Sequence, residues 1–253
     1  MTEKQFLYLM GQVDEGLIES AEAVDEKKKP PHWLKWGSIA AAVTLAVLVS
    51  LPLLGGANNI ELGDRSIGVT VKHTNIDPNK RQAENMLIYL TEEELFTHWE
   101  TAIFEGTVKK VDNIVLDFNG AKEYRALAEV SVERVYRGEL TAGETAVILL
   151  PCSVGNGVWV EDTDTVIATQ EGKRGIFMPI VYDDDSYFEY NGATLYLNEL
   201  APYGFADGLR YIFWDTASGP VYAKNAYPSL EGVRSFDEIR EYVVEMIAKT
   251  SGK

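Results

Sequence analysis

The spacing of apolar positions changes twice along this chain. Near the start it is helical: Phe6, Met10, Val13 and Leu17 fall three to four apart behind a Thr2-x-x-Gln5 capping box, with Gly11 and Gly16 interrupting the face. From Trp36 to Leu54 it becomes continuous, and WGSIAAAVTLAVLVSLPLL runs for 19 residues without a charge. As a helix rising about 1.5 Å per residue this run would reach roughly 28 Å, close to the ~30 Å hydrocarbon core of a bilayer. A stretch rich in Asn, Gly, Asp and Lys follows, with a strand expected at Ser66–Val71. Thr91 then suits an N-cap, with Glu92, Glu93 and Glu94 in the first turn and Leu95, Phe96 and Trp99 behind them.

Beyond that helix the period is two. Ile103–Val111 and Ile114–Phe118 are apolar stretches. Tyr124, Ala126, Ala128, Val130 and Val132 alternate with Arg125, Glu129, Ser131 and Glu133. Val147–Leu150, Gly175–Tyr182, Gly192–Leu197 and Arg210–Asp215 are further strand candidates, and Arg137-Gly138-Glu139 and Ala142-Gly143-Glu144 read as turns. The Ser235-Phe236-Asp237-Glu238 capping box opens a last helix carrying Ile239, Val243, Met246 and Ile247 on one face. Strands followed by a packing helix predict an α+β, β-rich domain or a small barrel.

The flanks of the apolar run orient it. Lys27, Lys28, Lys29 and Lys35 precede it, Trp33 and Trp36 sit at its boundary, and no basic residue follows before Arg65. The positive-inside rule places the N-terminus in the cytoplasm. Gly55-Gly56-Ala57 would suit a signal peptidase, but the 35 residues before the run exceed an ordinary signal-peptide n-region. The expected organisation is a cytoplasmic tail at 1–35, a transmembrane helix at 36–54, a spacer at 55–81 and an extracytoplasmic domain at 82–253. The lipid bilayer is the first expected partner. The apolar face of the short tail helix calls for a membrane surface or a cytoplasmic partner for residues 2–24, since so short a helix is marginal alone.

Charge narrows the rest. The formal net charge is −16, and nearly all of the acidic excess lies beyond the apolar run. Such a surface repels nucleic acid, which is not an expected partner. One cysteine, Cys152, excludes an internal disulfide. No catalytic constellation or cofactor motif is visible, so an enzyme is not expected. His32, His73 and His98 lack metal-ligand spacing, Cys152 has no evident base, and Ser153 stands outside a Gly-x-Ser-x-Gly order. Two acidic runs, Glu161-Asp162-x-Asp164 and Asp183-Asp184-Asp185, carry ligands that calcium would accept, but neither has the EF-hand pattern and both read first as solvated loops. Aromatics crowd near the second run: Tyr182, Tyr187, Phe188, Tyr190, Tyr196, Tyr203, Phe205, Tyr211, Phe213 and Trp214. With β alternation at least half of them belong in a core, and the rest could line a carbohydrate or peptide surface.

Two resemblances add to this reading. FLYLMGQVDEGLIESAEAV followed by KKKPPHWLKWGSIAAAVTLAVLV, roughly the first 55 residues, resembles the N-terminus of uncharacterised single-pass membrane proteins of Clostridia and related Firmicutes. Some membrane-bound anti-sigma factors share that layout, although the zinc-binding His-x-x-x-Cys-x-x-Cys motif is absent here. FEGTVKKV and AEVSVERVYRGELTAGETAVIL resemble the first half of netrin-like, or TIMP-like, OB barrels, on Phe104, Gly106, Val108, Val132, Val135, Tyr136, Gly138, Leu140, Gly143 and Val147. That likeness implies a small OB-like barrel with a C-terminal packing helix. It does not extend to protease inhibition, which in that family uses an N-terminal cysteine. The expected function is a membrane-anchored extracytoplasmic binding module for a cell-surface protein or glycan. The alternative is a transmembrane regulator, anti-sigma-like, whose tail reads out the outer domain.

Overall fold

The computed structural model describes residues 58–75, 88–155 and 163–251. The expected tail, the transmembrane run, its flanking Lys27, Lys28, Lys29, Trp33, Lys35 and Trp36, and Glu161 and Asp162 lie outside the described residues. Among the described residues no helix is long and apolar enough to cross a membrane.

The architecture is mixed α+β and strand-rich. Its spine is an antiparallel pair, β3 (Ile103–Phe118) and β4 (Ala121–Arg137). The sequence reading divides β3 into two stretches; it is one strand, with register shifts near Phe104, Gly106 and Lys110 that absorb the break in alternation. The two strands are joined at Asn119-Gly120, where both residues have positive φ (+50° and +96°). That is the backbone of the tight hairpin turns whose twist matches the strands, and Asn-Gly is the pair that tolerates it.

β3 has a different neighbour along each half of its other edge. Its second half pairs with β2 (Val69–His73), which pairs in turn with β1 (Asn59–Ile60). The sheet thus takes in residues that the sequence reading assigns to a spacer. The first half of β3 pairs with β6 (Arg174–Phe177), whose far edge takes β11 (Ile212–Asp215). On the other side β4 pairs with β5 (Thr145–Leu150), β5 runs parallel to β10 (Tyr203–Gly204), and β10 pairs with β7 (Ile180–Val181). The continuous strand expected at Gly175–Tyr182 is broken between β6 and β7 at Met178-Pro179, because proline offers no N–H to a ladder.

The expected small barrel is not closed. The sheet path ends at the two-residue β7, which meets the segment before β3 through one isolated bridge, Thr101 to Ile180. The proline break leaves too little strand there for a ladder.

Among the described residues two α-helices cover the sheet. α1 (Glu92–Thr97) starts from the Thr91 capping box, and α2 (Phe236–Thr250) from the Ser235 box. α2 buries Phe236, Ile239, Val243 and Met246. Each such side chain removed from water contributes about 1.5–3 kcal/mol. Beneath them, fully buried Glu105 of β3 is held by Arg240 of α2 (2.7 and 2.9 Å), Tyr136 of β4 (2.9 Å) and Arg174 of β6. One buried charge therefore ties three elements to β3. A second apolar cluster, with Val71, Ile114, Leu116, Phe118, Leu149, Ala193 and Leu195, lies under the far half of β3.

Candidate functional site

The second cluster is roofed by a separate hairpin, β8 (Tyr187–Tyr190) and β9 (Ala193–Tyr196). Its turn, Asn191-Gly192, again has positive φ at both residues (+48° and +71°). The two Asn-Gly turns lock together. The Asn191 side-chain amide donates to the carbonyls of Phe118 (2.9 Å) and Asn119 (3.2 Å), and that of Asn119 donates to the Asn191 carbonyl (3.3 Å). The other strand is clamped at Ile67, whose N–H and carbonyl each bond Thr194 at 2.8 Å.

Register then decides where the aromatic rings go. Phe188 and Tyr190 sit opposite Leu195 and Ala193, both buried. Their rings meet Phe118 edge-on, with centroids at 5.5 and 5.9 Å, and stack on each other at 6.2 Å. They nonetheless stay 37% and 46% exposed, beside Tyr187 at 53% and Ile67 at 68%. Tyr187 pairs across the strands with Tyr196 at 5.8 Å, and the Arg65 guanidinium lies 4.5 Å over the Tyr196 ring.

Arg65 also fixes the polar margin of this surface. It donates to Asp184 (2.9 Å), Asn198 (2.7 Å) and Glu199 (3.3 Å). Ser66 donates to Glu199 through both its N–H (3.1 Å) and its hydroxyl (2.6 Å). Burial alone would raise the Glu199 carboxyl, but the hydrogen bonds from Ser66 and Arg65 outweigh it and hold the group below its ordinary range. Glu199 thus stays an anion. The arrangement is the ring pair of Tyr187 and Tyr196 beside fixed donors and acceptors, suited to stacking on a ligand's apolar face while hydrogen-bonding its edges. Phe188 and Tyr190 lie on the opposite face of the hairpin, against Phe118.

The ten aromatics picked out in the sequence divide as follows. Phe205, Tyr211, Phe213 and Trp214 are core residues, while Tyr182, Tyr196 and Tyr203 are half-buried. Tyr187, Phe188 and Tyr190 are exposed, Tyr187 on the face of Tyr196 and Arg65 and the other two on the face of Phe118. The acidic triplet does not converge on a cavity. Asp183 accepts from Ser186 and from the Asp185 N–H, Asp184 pairs with Arg65, and Asp185 is exposed. Among the described residues no group of three or more His, Cys, Asp or Glu could hold a metal. Cys152 is buried, and burial pushes its thiol up to about 11. His98 packs edge-on against Trp99 at 4.5 Å. Sequence reasoning missed Arg65 and both Asn-Gly turns; an Asn-Gly pair between alternating apolar runs is a readable hairpin signal.

Comparison with protein-family models, with curated proteins and with solved structures finds no match.

Proposed function

We propose that this chain is a membrane-anchored, extracytoplasmic binding module that holds a glycan on the aromatic hairpin. One observation carries the ligand class: the exposed Tyr187 ring, paired with Tyr196, stands beside the fixed polar set of Arg65, Asp184 and Asn198. Sugars present apolar ring faces and polar edges, and a stacking surface with a hydrogen-bonding margin matches both. The acidic charge disfavours a nucleic-acid strand on the same rings.

The strand order supports the placement. A path β3-β4-β5-β10-β7 with β5 and β10 parallel, brought back toward β3 by the Thr101 to Ile180 bridge, follows the plan of a partly open OB barrel. On that plan the β3–β4 turn and the hairpin inserted between β7 and β10 fall at the two loops with which OB folds hold oligosaccharides. Anchoring rests on the uncharged run Trp36–Leu54 and the lysines before it. The bilayer is then a permanent partner, and the tail lies in the cytoplasm.

Calorimetric titration of the purified protein with oligosaccharides from bacterial surfaces tests this. Tyr187→Ala should weaken binding by roughly two- to tenfold, on the scale of an aromatic contact worth about 0.5–1.5 kcal/mol, while Tyr190→Ala, on the opposite face, should leave it unchanged. Melting temperatures should change little, since both rings are half exposed. A wild-type protein that binds glycans no differently from the Tyr187 variant would refute the reading.

A further inference from the structure

A second site lies away from the hairpin. The last residue of β4, Arg137, reaches into a cleft of about 590 Å³ between α1, the segment before β3, and β7 and β10. This volume is in the range of small-molecule sites, roughly 300–1,000 Å³. Arg137 is half-buried, and its hydrogen bonds go to neutral oxygens: the Thr101 carbonyl (3.0 Å), the Thr101 hydroxyl and the Phe96 carbonyl (2.8 Å). Among the described residues it has no carboxylate at ion-pair distance. The other buried or half-buried arginines among the described residues differ: Arg174 and Arg240 share Glu105, Arg210 has Asp207 and Arg125 has Glu123.

A guanidinium carries five N–H groups, and three are used here, leaving two for a ligand. Burial pulls Arg137 below its ordinary value, an effect the charge of Glu100 offsets in part, so a second anion in the cleft would be favourable. The walls are apolar and aromatic, formed by Trp99, Val181 and Tyr203. Glu100 and Glu139 stand exposed on the rim. Arg137 attracts an anion, while the two rim carboxylates oppose a dianion such as phosphate more strongly than a monoanion.

We infer that the Arg137 cleft binds an α-carboxylate attached to an apolar side chain, either a free amino acid or a peptide C-terminus. The carboxylate takes the two free N–H groups of Arg137 in a charge-assisted pair, and the side chain lies against Trp99 and Tyr203.

The probes are phenylalanine, phenylalanine amide, the dipeptide Ala-Phe and inorganic phosphate, each titrated calorimetrically into the full chain. Phenylalanine or Ala-Phe should bind, and whichever is tighter identifies the source. The amide should bind about tenfold or more weakly, and phosphate should not compete. Arg137→Gln should reduce carboxylate binding to the level of the amide. Because Arg137 also holds Phe96 and Thr101, that variant could fail to fold, and the rim then decides. The exposed pair Glu100→Lys and Glu139→Lys, which leaves the Arg137 hydrogen bonds to Phe96 and Thr101 in place, should tighten carboxylate binding and admit phosphate. Equal binding of acid and amide, no binding of either acid, or a rim reversal without effect on anions would each overturn the inference.

Discussion

At Gly138 the backbone follows β4 out of the sheet with φ at +106°, and an added Cβ would come within 3.2 Å of the Ala102 methyl. A β-branched side chain suffers there twice, from the left-handed backbone and from the contact. Gly138→Val should therefore lower stability by about 1–3 kcal/mol in a denaturant melt. Nearby Val132 is buried, and Val132→Asp should unfold the domain. Glu133 is exposed by alternation, yet it accepts from Thr107 (2.6 Å) and Arg174 (2.7 Å), so Glu133→Lys removes two bonds and sets like charges together. A cost of about 1 kcal/mol is expected, between the neutral and the unfolding extremes. Glu105 makes the same network pH-dependent. Burial would raise its carboxyl, but Arg240, Tyr136 and Arg174 hold it below its ordinary 4.5. A folded value below the unfolded one contributes stability above that ordinary value, and the contribution is lost as pH falls through the folded value. Acid melts of Glu105→Gln should accordingly lose less stability below pH 4.5 than those of the wild type. At neutral pH the variant should start about 2–4 kcal/mol lower, less than a fully buried pair because Arg174 reaches water.

The elements differ in how far they could be read from the chain. α2 was legible throughout: the Ser235-x-x-Glu238 box and the Ile239, Val243, Met246 spacing are local facts, and both caps form. Strand β4 was legible for the same reason, since alternation is local. The break after Phe177 was not seen, although Pro179 stood in the sequence, because an apolar run of that length suits one strand or two. β8 was missed for a deeper reason. Tyr187-Phe188-Glu189-Tyr190 is exposed on all four residues, so it carries no burial alternation. Its place comes from partners 70 or more residues away, Phe118 and Asn119. The candidate site was thus half visible: the crowd of aromatics could be seen, while the division that sets Tyr187 beside Arg65 and turns Phe188 and Tyr190 toward Phe118 is a property of register. The hairpin should depend on its turn in a way that α2 does not. Gly192→Val at φ +71° should cost about 1–3 kcal/mol and weaken glycan binding together with stability.

Across the whole molecule, the sheet is assembled on β3, and its two halves serve different ends. The first half anchors β6, α2 and the Glu105 network, while the second holds β2 and the roof of the aromatic hairpin. The alternating pattern suggests a domain beginning at residue 82, and the sheet also takes in β1 and β2 before it. Val71 is fully buried against Ile114, Leu116 and Phe118, and β2 pairs with β3 over five residues. The segment before β2 supplies Arg65, Ser66 and Ile67, which fix Glu199, Tyr196 and Thr194. A fragment starting at 82 leaves the second half of β3 as an unpaired apolar edge and frees the hairpin from its clamp. A fragment starting at 58 keeps both. In urea the longer fragment should be more stable by about 2–5 kcal/mol, on the scale of losing a buried aliphatic side chain and its ladder bonds. The shorter one should self-associate as concentration rises, which sedimentation would detect. Its glycan binding should fall with the loss of Arg65, while carboxylate binding at Arg137, on the other half of the sheet, should persist. Equal stability and equal glycan affinity in the two fragments would mean that β2 rests on the domain without supporting it.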